Sequence, residues 1–217
     1  MGRTRILIVD DHQVVIGGIK STLSDYPELE VIGEALNGRE AVRRVKAQRP
    51  DIVIMDISMP DLNGIDATLQ IKKSHPKARI IIFTMYSDRE YVVDLLKAGI
   101  SGYVLKEDPM SDLILAIQAV KGGGTYFSSM VPGVLVNHLR KADSPEEAND
   151  GFKDLSLRER ELLQLLAEGN NVKDISAKLD LSHKTVESHK YNMMEKLGVR
   201  TLADLTKIAI KKKLIQP

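Results

Sequence analysis

Five polar residues in the first half of the chain directly follow short apolar segments, and their types are suited to chemistry on a phosphoryl group. They are three aspartates, a threonine and a lysine: Asp10, Asp11, Asp56, Thr84 and Lys106. Three carboxylates that lie close together repel one another, and a hard divalent cation such as Mg²⁺, which prefers oxygen ligands, would relieve the repulsion. A carboxylate nucleophile beside a metal ion, an ammonium group and a hydroxyl group is suited to accept a phosphoryl group.

The elements predicted around these residues explain why they should meet. Five apolar segments of strand length alternate with helical patterns over residues 1–127. The predicted strands are Arg5–Val9, Glu30–Ala35, Asp51–Met55, Arg79–Phe83 and Gly102–Leu105. The third and fourth contain runs that are apolar on both faces, which is typical of parallel strands covered by helices on both sides.

Five successive βα units with right-handed crossovers favour a doubly wound, flavodoxin-like α/β sheet. Strands one, three, four and five are neighbours in that order, and ligands bind beyond the carboxyl ends of such strands. We therefore expect the five polar residues to converge at one edge of the sheet.

Several other kinds of site are excluded or disfavoured by the sequence. The chain has no cysteine, which excludes disulfides, thiolate metal sites and cysteine nucleophiles. It has neither a P-loop motif nor a glycine-rich dinucleotide-binding turn after its first predicted strand. No apolar run of about 18 residues is present, and the apolar stretch near Met1 is too short for a secretory signal. These absences predict no membrane segment and a cytoplasmic location.

The second half of the chain differs in charge and pattern. Although the chain as a whole carries a formal charge of only +1, residues 182–217 contain eight Lys and Arg against three Asp and Glu, which indicates a polyanionic partner. On a helical wheel of residues 182–197 one face is apolar and the opposite face is rich in hydrogen-bonding side chains. With the short helix predicted at Val172–Leu179 it forms a helix-turn-helix pattern, although an ordinary amphipathic surface helix would look the same.

The alternation of strand and helix patterns seen in the first half stops before the helical second half begins. Residues 128–152 contain Pro132–Gly133, a short apolar piece and a polar, acidic stretch, and they are predicted to be a linker that contains at most one helix. The predicted organisation is an α/β domain over residues 1–127, the linker over 128–152, and an all-α domain over 153–217.

The first half resembles the receiver domain of two-component response regulators. The resemblance rests on Ile8–His12, Ile54–Pro60 with Gly64, Phe83–Thr84 and Gly102–Lys106. It implies that Asp56 is the phosphoacceptor, that Lys106 pairs with a phosphoryl oxygen, and that Thr84 moves to hydrogen-bond the phosphoryl group while Tyr103 turns inward. The Mg²⁺ ligands that it implies are Asp10, Asp11, Asp56 and the main-chain carbonyl of Ser58.

The second half resembles the four-helix DNA-binding domain of LuxR-type regulators. The matching segments are Leu155–Glu161, Leu165–Gly169, Lys173–Leu179, Leu181–Ser182, Thr185–His189 and Lys196–Val199. The resemblance implies that one set of side chains faces the major groove: Lys184, Glu187, Ser188 and Tyr191. It implies that a second set holds DNA phosphates: Lys173, Thr185 and Lys190. Joined to a receiver, this domain makes the whole chain similar to the NarL/FixJ family of response regulators.

These observations predict a transcription regulator, not a metabolic enzyme, that binds double-stranded DNA after a histidine kinase phosphorylates Asp56. A homodimer is expected when the chain is phosphorylated or bound to DNA. Two other functions stay open at this point: a phosphorelay or protein-interaction module that does not bind DNA, and a flavodoxin-like phosphohydrolase. A phosphohydrolase of the haloacid dehalogenase type is disfavoured because it needs a second aspartate two residues after its nucleophile, where His12 and Ser58 stand.

Overall fold

The computed structural model describes residues 2–87, 89–141 and 151–215 and contains two compact units. Strands and helices alternate in the first unit: β1 Thr4–Val9, α1 Gln13–Ser24, β2 Leu29–Ala35, α2 Gly38–Gln48, β3 Ile52–Met55, α3 Gly64–Ser74, β4 Arg79–Thr84, α4 Arg89–Lys97, β5 Gly102–Leu105, α5 Met110–Lys121, β6 Tyr126–Phe127 and α6 Met130–Lys141. The second unit is helical: α7 Leu157–Ala167, α8 Val172–Leu179, α9 His183–Leu197 and α10 Leu202–Lys211.

The strands of the first unit form one parallel sheet in the order β2-β1-β3-β4-β5-β6. Every residue of β3 and of β5 is buried, so both faces of these strands are covered. On one face Ile8 and Ile54 pack with Ile19 of α1 and Ile117 of α5, while α2 packs beside α3 and α3 beside α4. The predicted flavodoxin-like order is confirmed, and it brings the carboxyl ends of β1, β3, β4 and β5 side by side.

The sheet has one strand more than the sequence pattern predicts. Gly102 and Tyr103 of β5 pair with Tyr126 and Phe127 of β6. Two residues after a glycine-rich turn are too few to show a period, so only the partner strand reveals this element. The following helix α6 lies within the segment predicted as a linker and packs against β6 and α4.

The loop after β3 is shaped by a cap and by a close backbone approach. The side chain of Asn63 accepts a hydrogen bond from the Asp66 amide and so begins α3. Next to it, a Cβ atom on Gly64 would lie 1.8 Å from the carbonyl oxygen of Asp56. The Gly64 amide also donates a hydrogen bond to the carbonyl of Ile57 at 2.8 Å. Glycine is therefore required for this loop to hold Asp56 against α3.

Local sequence signals mark the ends of the helices of the second unit. Ser156 followed by Glu159 three residues later is a capping-box pattern, and the two residues form that box at the start of α7. Ser182 caps α9, and Gly198 ends α9 in the left-handed region at φ 66°. The core of this unit is a cluster of buried side chains contributed by all four helices: Leu162, Leu165, Ile175, Val186, Met193 and Leu205. This packing turns one face of α9 inward and leaves the other exposed.

Candidate metal centre and nucleic-acid interface

Two buried aspartates and a lysine meet at the carboxyl edge of the sheet. Asp10 follows β1 and is 2% exposed, and Asp56 follows β3 and is 4% exposed. The Nζ atom of Lys106, which follows β5, lies 2.7 Å from Oδ2 of Asp10 and 2.7 Å from Oδ2 of Asp56. The expected convergence of these three residues is thus present in the structure.

The site places an excess of negative charge in a poorly solvated position. Burial, with a smaller contribution from the charge of Asp10, raises the pKa of Asp56 above the usual aspartate value, although Lys106 and a hydrogen bond with Thr84 oppose this. Burial by itself would lower the pKa of Lys106, but the two adjacent carboxylates outweigh it and the pKa is raised. Lys106 therefore stays an ammonium ion.

Asp11 and His12 complete the cluster on its exposed side. The Nδ1 atom of His12 lies 2.9 Å from Oδ1 of Asp11 and 3.2 Å from Oδ1 of Asp10. The His12 main-chain amide also donates to Oδ1 of Asp10 at 2.9 Å. One ligand atom from each of Asp10, Asp11, His12 and Asp56 falls within 4.8 Å of the others.

The donor set fits a divalent cation. Three carboxylates face a single lysine ammonium group, so the site holds more negative than positive charge even with Lys106 in place. Carboxylate oxygens are the ligands that Mg²⁺ prefers. Ser58 lies two residues beyond Asp56 in the same loop, and its predicted role as a main-chain ligand stays a prediction.

Thr84 and Tyr103 lie in the interior beside this cluster. Thr84, the last residue of β4, is fully buried and hydrogen-bonds Asp56. Tyr103 of β5 is also fully buried, and its hydroxyl donates to the carbonyl of Tyr86 at 2.7 Å. Tyr103 thus lies inward in this structure, where its phenol contacts the loop after Thr84, and its predicted turn in response to a phosphoryl group stays a prediction.

In the second unit, α9 presents the residues predicted to read base pairs. Val186 and Met193 are buried against the other helices, while Lys184, Glu187 and Ser188 are exposed. Tyr191 is 69% exposed, which is unusual for a large aromatic side chain and suits a contact surface.

The residues predicted to hold phosphates lie on and beside the same helix. Lys173 is exposed in the first turn of α8, and Thr185 is half-buried near the start of α9, where its amide donates to the Ser182 hydroxyl. Lys190 is half-buried and lies 3.7 Å from the carboxylate of Glu187. This ion pair gives the acidic Glu187 a partner on a surface that would face DNA.

Two features of the sites were not anticipated from the sequence. His12 joins the acidic cluster, and the only signal was its position directly after Asp11. The Tyr86 carbonyl accepts a hydrogen bond from the Tyr103 hydroxyl, and no sequence pattern predicts this contact because Tyr86 lies in the loop after β4, which has no periodic pattern.

The chain matches models of two protein families, one in each half. Residues 6–118 match the response regulator receiver domain, and residues 153–209 match the LuxR family of bacterial regulatory proteins. Within the described residues, no helix is long and apolar enough to cross a bilayer.

Similar proteins are matched along nearly their whole length. The oxygen regulatory protein NreC of Staphylococcus epidermidis is 42% identical over 98% of this chain and 99% of the relative. NreC of Staphylococcus haemolyticus is 42% identical over 97% and 99%. The solved RcsB response regulator of Salmonella typhimurium is 30% identical with a TM-score of 0.60 and covers 96% of this chain and 98% of that one. A complex of the two-component response regulator RcsB with DNA is 31% identical with a TM-score of 0.59, over 95% and 97%.

Proposed function

The chain belongs to the two-component response regulators that join a receiver domain to a LuxR-type DNA-binding domain, and on this basis we propose that phosphorylation of Asp56 controls its binding to DNA. The observation that carries the proposal is the position of the Lys106 ammonium group, 2.7 Å from the buried carboxylates of both Asp56 and Asp10. The domain bounds of the proposal are 1–127 for the receiver, 128–152 for the linker and 153–217 for the DNA-binding domain.

Asp56 is the nucleophile of the proposed reaction. One of its carboxylate oxygens forms a bond to phosphorus while the bond from phosphorus to the donor breaks, and the electron pair of that bond leaves with the donor. The donor is a phosphohistidine of a partner kinase or a small acyl phosphate. Asp10, Asp11 and Asp56, with the main-chain carbonyl of Ser58, would hold Mg²⁺, which would supply positive charge to the phosphoryl oxygens.

Lys106 and Thr84 respond to the new group. Lys106 bonds the Asp56 carboxylate in this structure, and the phosphoryl oxygens offer it a stronger acceptor at the same place. Thr84, already hydrogen-bonded to Asp56, donates to the phosphoryl group. Because Tyr103 bonds the carbonyl of Tyr86, a movement at Thr84 is coupled to the position of this tyrosine and alters the surface of the receiver.

The DNA-binding domain acts through α8 and α9. In the proposal α9 enters the major groove with Lys184, Glu187, Ser188 and Tyr191, and phosphate contacts are made by Lys173, Thr185 and Lys190. Support comes from the exposure of this face and from the structural similarity to a regulator solved with DNA. Two chains bound as a homodimer on adjacent half-sites gain affinity through effective concentration. The proposed place of action is the cytoplasm.

Incubation with acetyl phosphate and Mg²⁺ tests the receiver chemistry. We expect intact-mass analysis to show one added phosphoryl group, which is absent when Mg²⁺ is chelated and absent in Asp56→Ala. Binding of the phosphorylated chain to genomic fragments, followed across salt concentrations, tests the DNA function: selected fragments stay bound after the others are released. A phosphoryl group on Asp56→Ala, or release of all fragments together, would contradict the proposal.

A further inference from the structure

We propose that the receiver has its own surface for duplex DNA, a basic patch that contacts backbone phosphates. This inference goes beyond the proposed function, which assigns DNA contacts to α8 and α9 alone, and it rests on that function because DNA is the proposed partner. The patch consists of eight Lys and Arg residues near the ends of α2 and α3 and at the start of β4: Arg43, Arg44, Lys46, Arg49, Lys72, Lys73, Lys77 and Arg79.

The charge of the patch is unlike that of the rest of the receiver. Residues 1–127 carry 16 Lys and Arg against 17 Asp and Glu, but half of these basic residues lie in the two segments 43–51 and 72–79, which contain a single acid, Asp51. Glu40 of α2 neutralises Arg44, which it bonds at 2.7 and 2.9 Å. The two helix C-termini add only about half a negative charge each. The patch therefore keeps a clear excess of positive charge.

Four basic residues of the patch have no acidic partner. Lys46, Arg49, Lys73 and Lys77 are exposed, and none of them forms an ion pair with a described residue. Arg49 and Lys77 are the charged side chains that line a groove of about 530 Å³ between the end of α2 and the loop after α3. Because these two residues precede β3 and β4, the groove lies at the opposite edge of the sheet from Asp56.

Arg49 stands in a backbone conformation that favours glycine. It ends α2 in the left-handed region at φ 46°, where glycine or asparagine is usual. Its guanidinium group makes no hydrogen bond or ion pair with the described residues, so these contacts do not offset the conformational cost. A cation that is kept exposed in an unfavourable conformation fits a partner outside the receiver, and the charge requires that partner to be an anion.

The composition of the patch fits a nucleic-acid backbone better than a protein partner. Both segments lie wholly within the described residues, and neither exposes a large hydrophobic side chain. The centre of a protein–protein interface is enriched in aromatic residues and depleted of lysine, whereas interfaces with DNA are polar and strongly positive. Binding of DNA by the second unit also raises the concentration of phosphates around the receiver, to which it is tethered.

Lysine footprinting of the full-length chain tests where DNA makes contact. The chain is acetylated with and without a duplex of random sequence, and the modified lysines are identified by mass spectrometry. We expect the duplex to protect Lys46, Lys73 and Lys77 in addition to the lysines of α8 and α9. Lys20 of α1, which is exposed on the other face of the sheet and pairs with Glu34, is the control and should stay reactive.

Variants of the groove measure the electrostatic contribution. Arg49→Gly combined with Lys77→Gln should lower the slope of log affinity against log salt by about 2, because each phosphate contact releases about one counterion. The preference for a selected over a random duplex should stay unchanged, since phosphates carry no sequence information. Arg49→Gly should not lower the Tm, because glycine suits φ 46°, so loss of folding would not account for the lower slope. Lys77→Arg, which keeps the charge, and the control Lys20→Gln should both keep the slope of the wild type.

The outcomes separate this inference from the proposed function. Protection of the lysines of α8 and α9, with Lys46, Lys73 and Lys77 fully reactive, would overturn the inference and leave the proposed function intact. Protection of the patch alone, without selection among duplexes, would support the inference and contradict the proposed function. An unchanged salt slope in the double variant would overturn the inference. Vesicles that contain phosphatidylglycerol test a different anionic surface, and patch lysines protected by the vesicles but not by the duplex would overturn the assignment to DNA.

Discussion

Asp56 is the proposed nucleophile, and its ionised carboxylate lowers the stability of the folded protein. Its carboxylate is buried beside Asp10, and burial raises its pKa against the opposing effect of Lys106. In the absence of a cation the ionised form is therefore less favourable in the folded protein than in the unfolded chain. The charge that prepares the site for a metal and a phosphoryl group is maintained at the expense of stability.

The replacement Asp56→Asn should raise the free energy of unfolding of the metal-free protein near neutral pH. A raised folded-state pKa means that the contribution of Asp56 is most favourable below the unfolded-state pKa and is lost as the pH rises through the folded-state value. An asparagine at this position does not ionise, so the variant does not lose stability in this way as the pH rises. Urea unfolding followed by circular dichroism in a chelator, at several pH values, measures the gain, which should shrink as the solution becomes acidic.

Asp25 provides a control for that measurement because it is exposed at the end of α1. Asp25→Asn should leave the free energy of unfolding nearly unchanged over the same pH range. If Asp56→Asn proved less stable than the wild type at neutral pH, the attraction between Lys106 and Asp56 would outweigh the effect of burial, and the prediction would be contradicted.

At the scale of elements, the loop from β3 to α3 fixes where Asp56 stands. The approach of Gly64 to the Asp56 carbonyl leaves no room for a side chain, and the Asn63 cap sets the direction of α3. The position of Asp56, the proposed nucleophile, thus depends on where α3 begins as well as on β3.

Gly64→Ala should destabilise the receiver by about 1–3 kcal/mol, because the new Cβ forces the backbone near Asp56 to move. It should also slow phosphorylation by acetyl phosphate, since Asp56 is displaced from Lys106. Gly17→Ala is the matched control: Gly17 lies within α1 and a Cβ there meets no atom within 4 Å. This control should stabilise the protein by about 0.5–1 kcal/mol and leave phosphorylation unchanged.

A second feature at the scale of elements joins α7 to α9, the helix proposed to enter the major groove. The buried carboxylate of Glu159 accepts from the Lys196 Nζ atom at 2.7 and 3.0 Å and from the Ser156 amide at 2.8 Å. Burial alone would raise the pKa of Glu159, but these hydrogen bonds outweigh it and the pKa is lowered. The ion pair secures the last turn of α9 against the start of α7.

Glu159→Gln should destabilise the second unit by about 1 kcal/mol at neutral pH, since it removes a charged hydrogen bond. Because the folded-state pKa is lowered, the stabilisation is present above the ordinary glutamate pKa and is lost as the pH falls through the folded-state value. Hydrogen exchange of the α7 and α9 amides should show faster exchange in Glu159→Gln at neutral pH and a smaller difference in acid. An equal difference at every pH would contradict the assignment of the effect to this charge.

At the scale of the whole molecule, the function depends on joining a nearly neutral unit, which holds the proposed site of phosphorylation, to a basic unit that binds DNA. The net formal charge of +1 conceals this division, because the lysines of the last 36 residues outnumber the acids there. Affinity for DNA therefore has a part that depends on salt and a part that depends on sequence.

Variants of α8 and α9 should separate these two parts. Lys173→Ala should weaken binding to all DNA sequences and lower the slope of log affinity against log salt by about 1, whereas Ser188→Ala should alter the preference among sequences. Fluorescence anisotropy with a selected and a random duplex at several salt concentrations distinguishes them. Lys207→Ala, on the exposed side of α10, is the control and should change neither quantity; a Lys173 variant that keeps the full salt slope would contradict the phosphate contact.

The sequence by itself determined the features that local patterns encode. Apolar runs predicted five strands, with Gly102–Leu105 matching at both ends, and cap residues such as Ser156, Ser182 and Gly198 predicted where helices begin and end. Because strand periods and caps depend on neighbouring residues, they can be read without the fold, and the parallel order then placed the strand-end residues together.

Only the tertiary structure decided which atoms meet across the chain. Lys106 bonds Asp56 from 50 residues away, and Lys196 bonds Glu159 from 37 residues away. The two-residue strand β6 exists only because β5 offers it hydrogen-bond partners, and the need for glycine at Gly64 arises from a carbonyl of another element. These contacts depend on how closely the packed elements approach one another, and a local sequence pattern does not determine the distance between two elements.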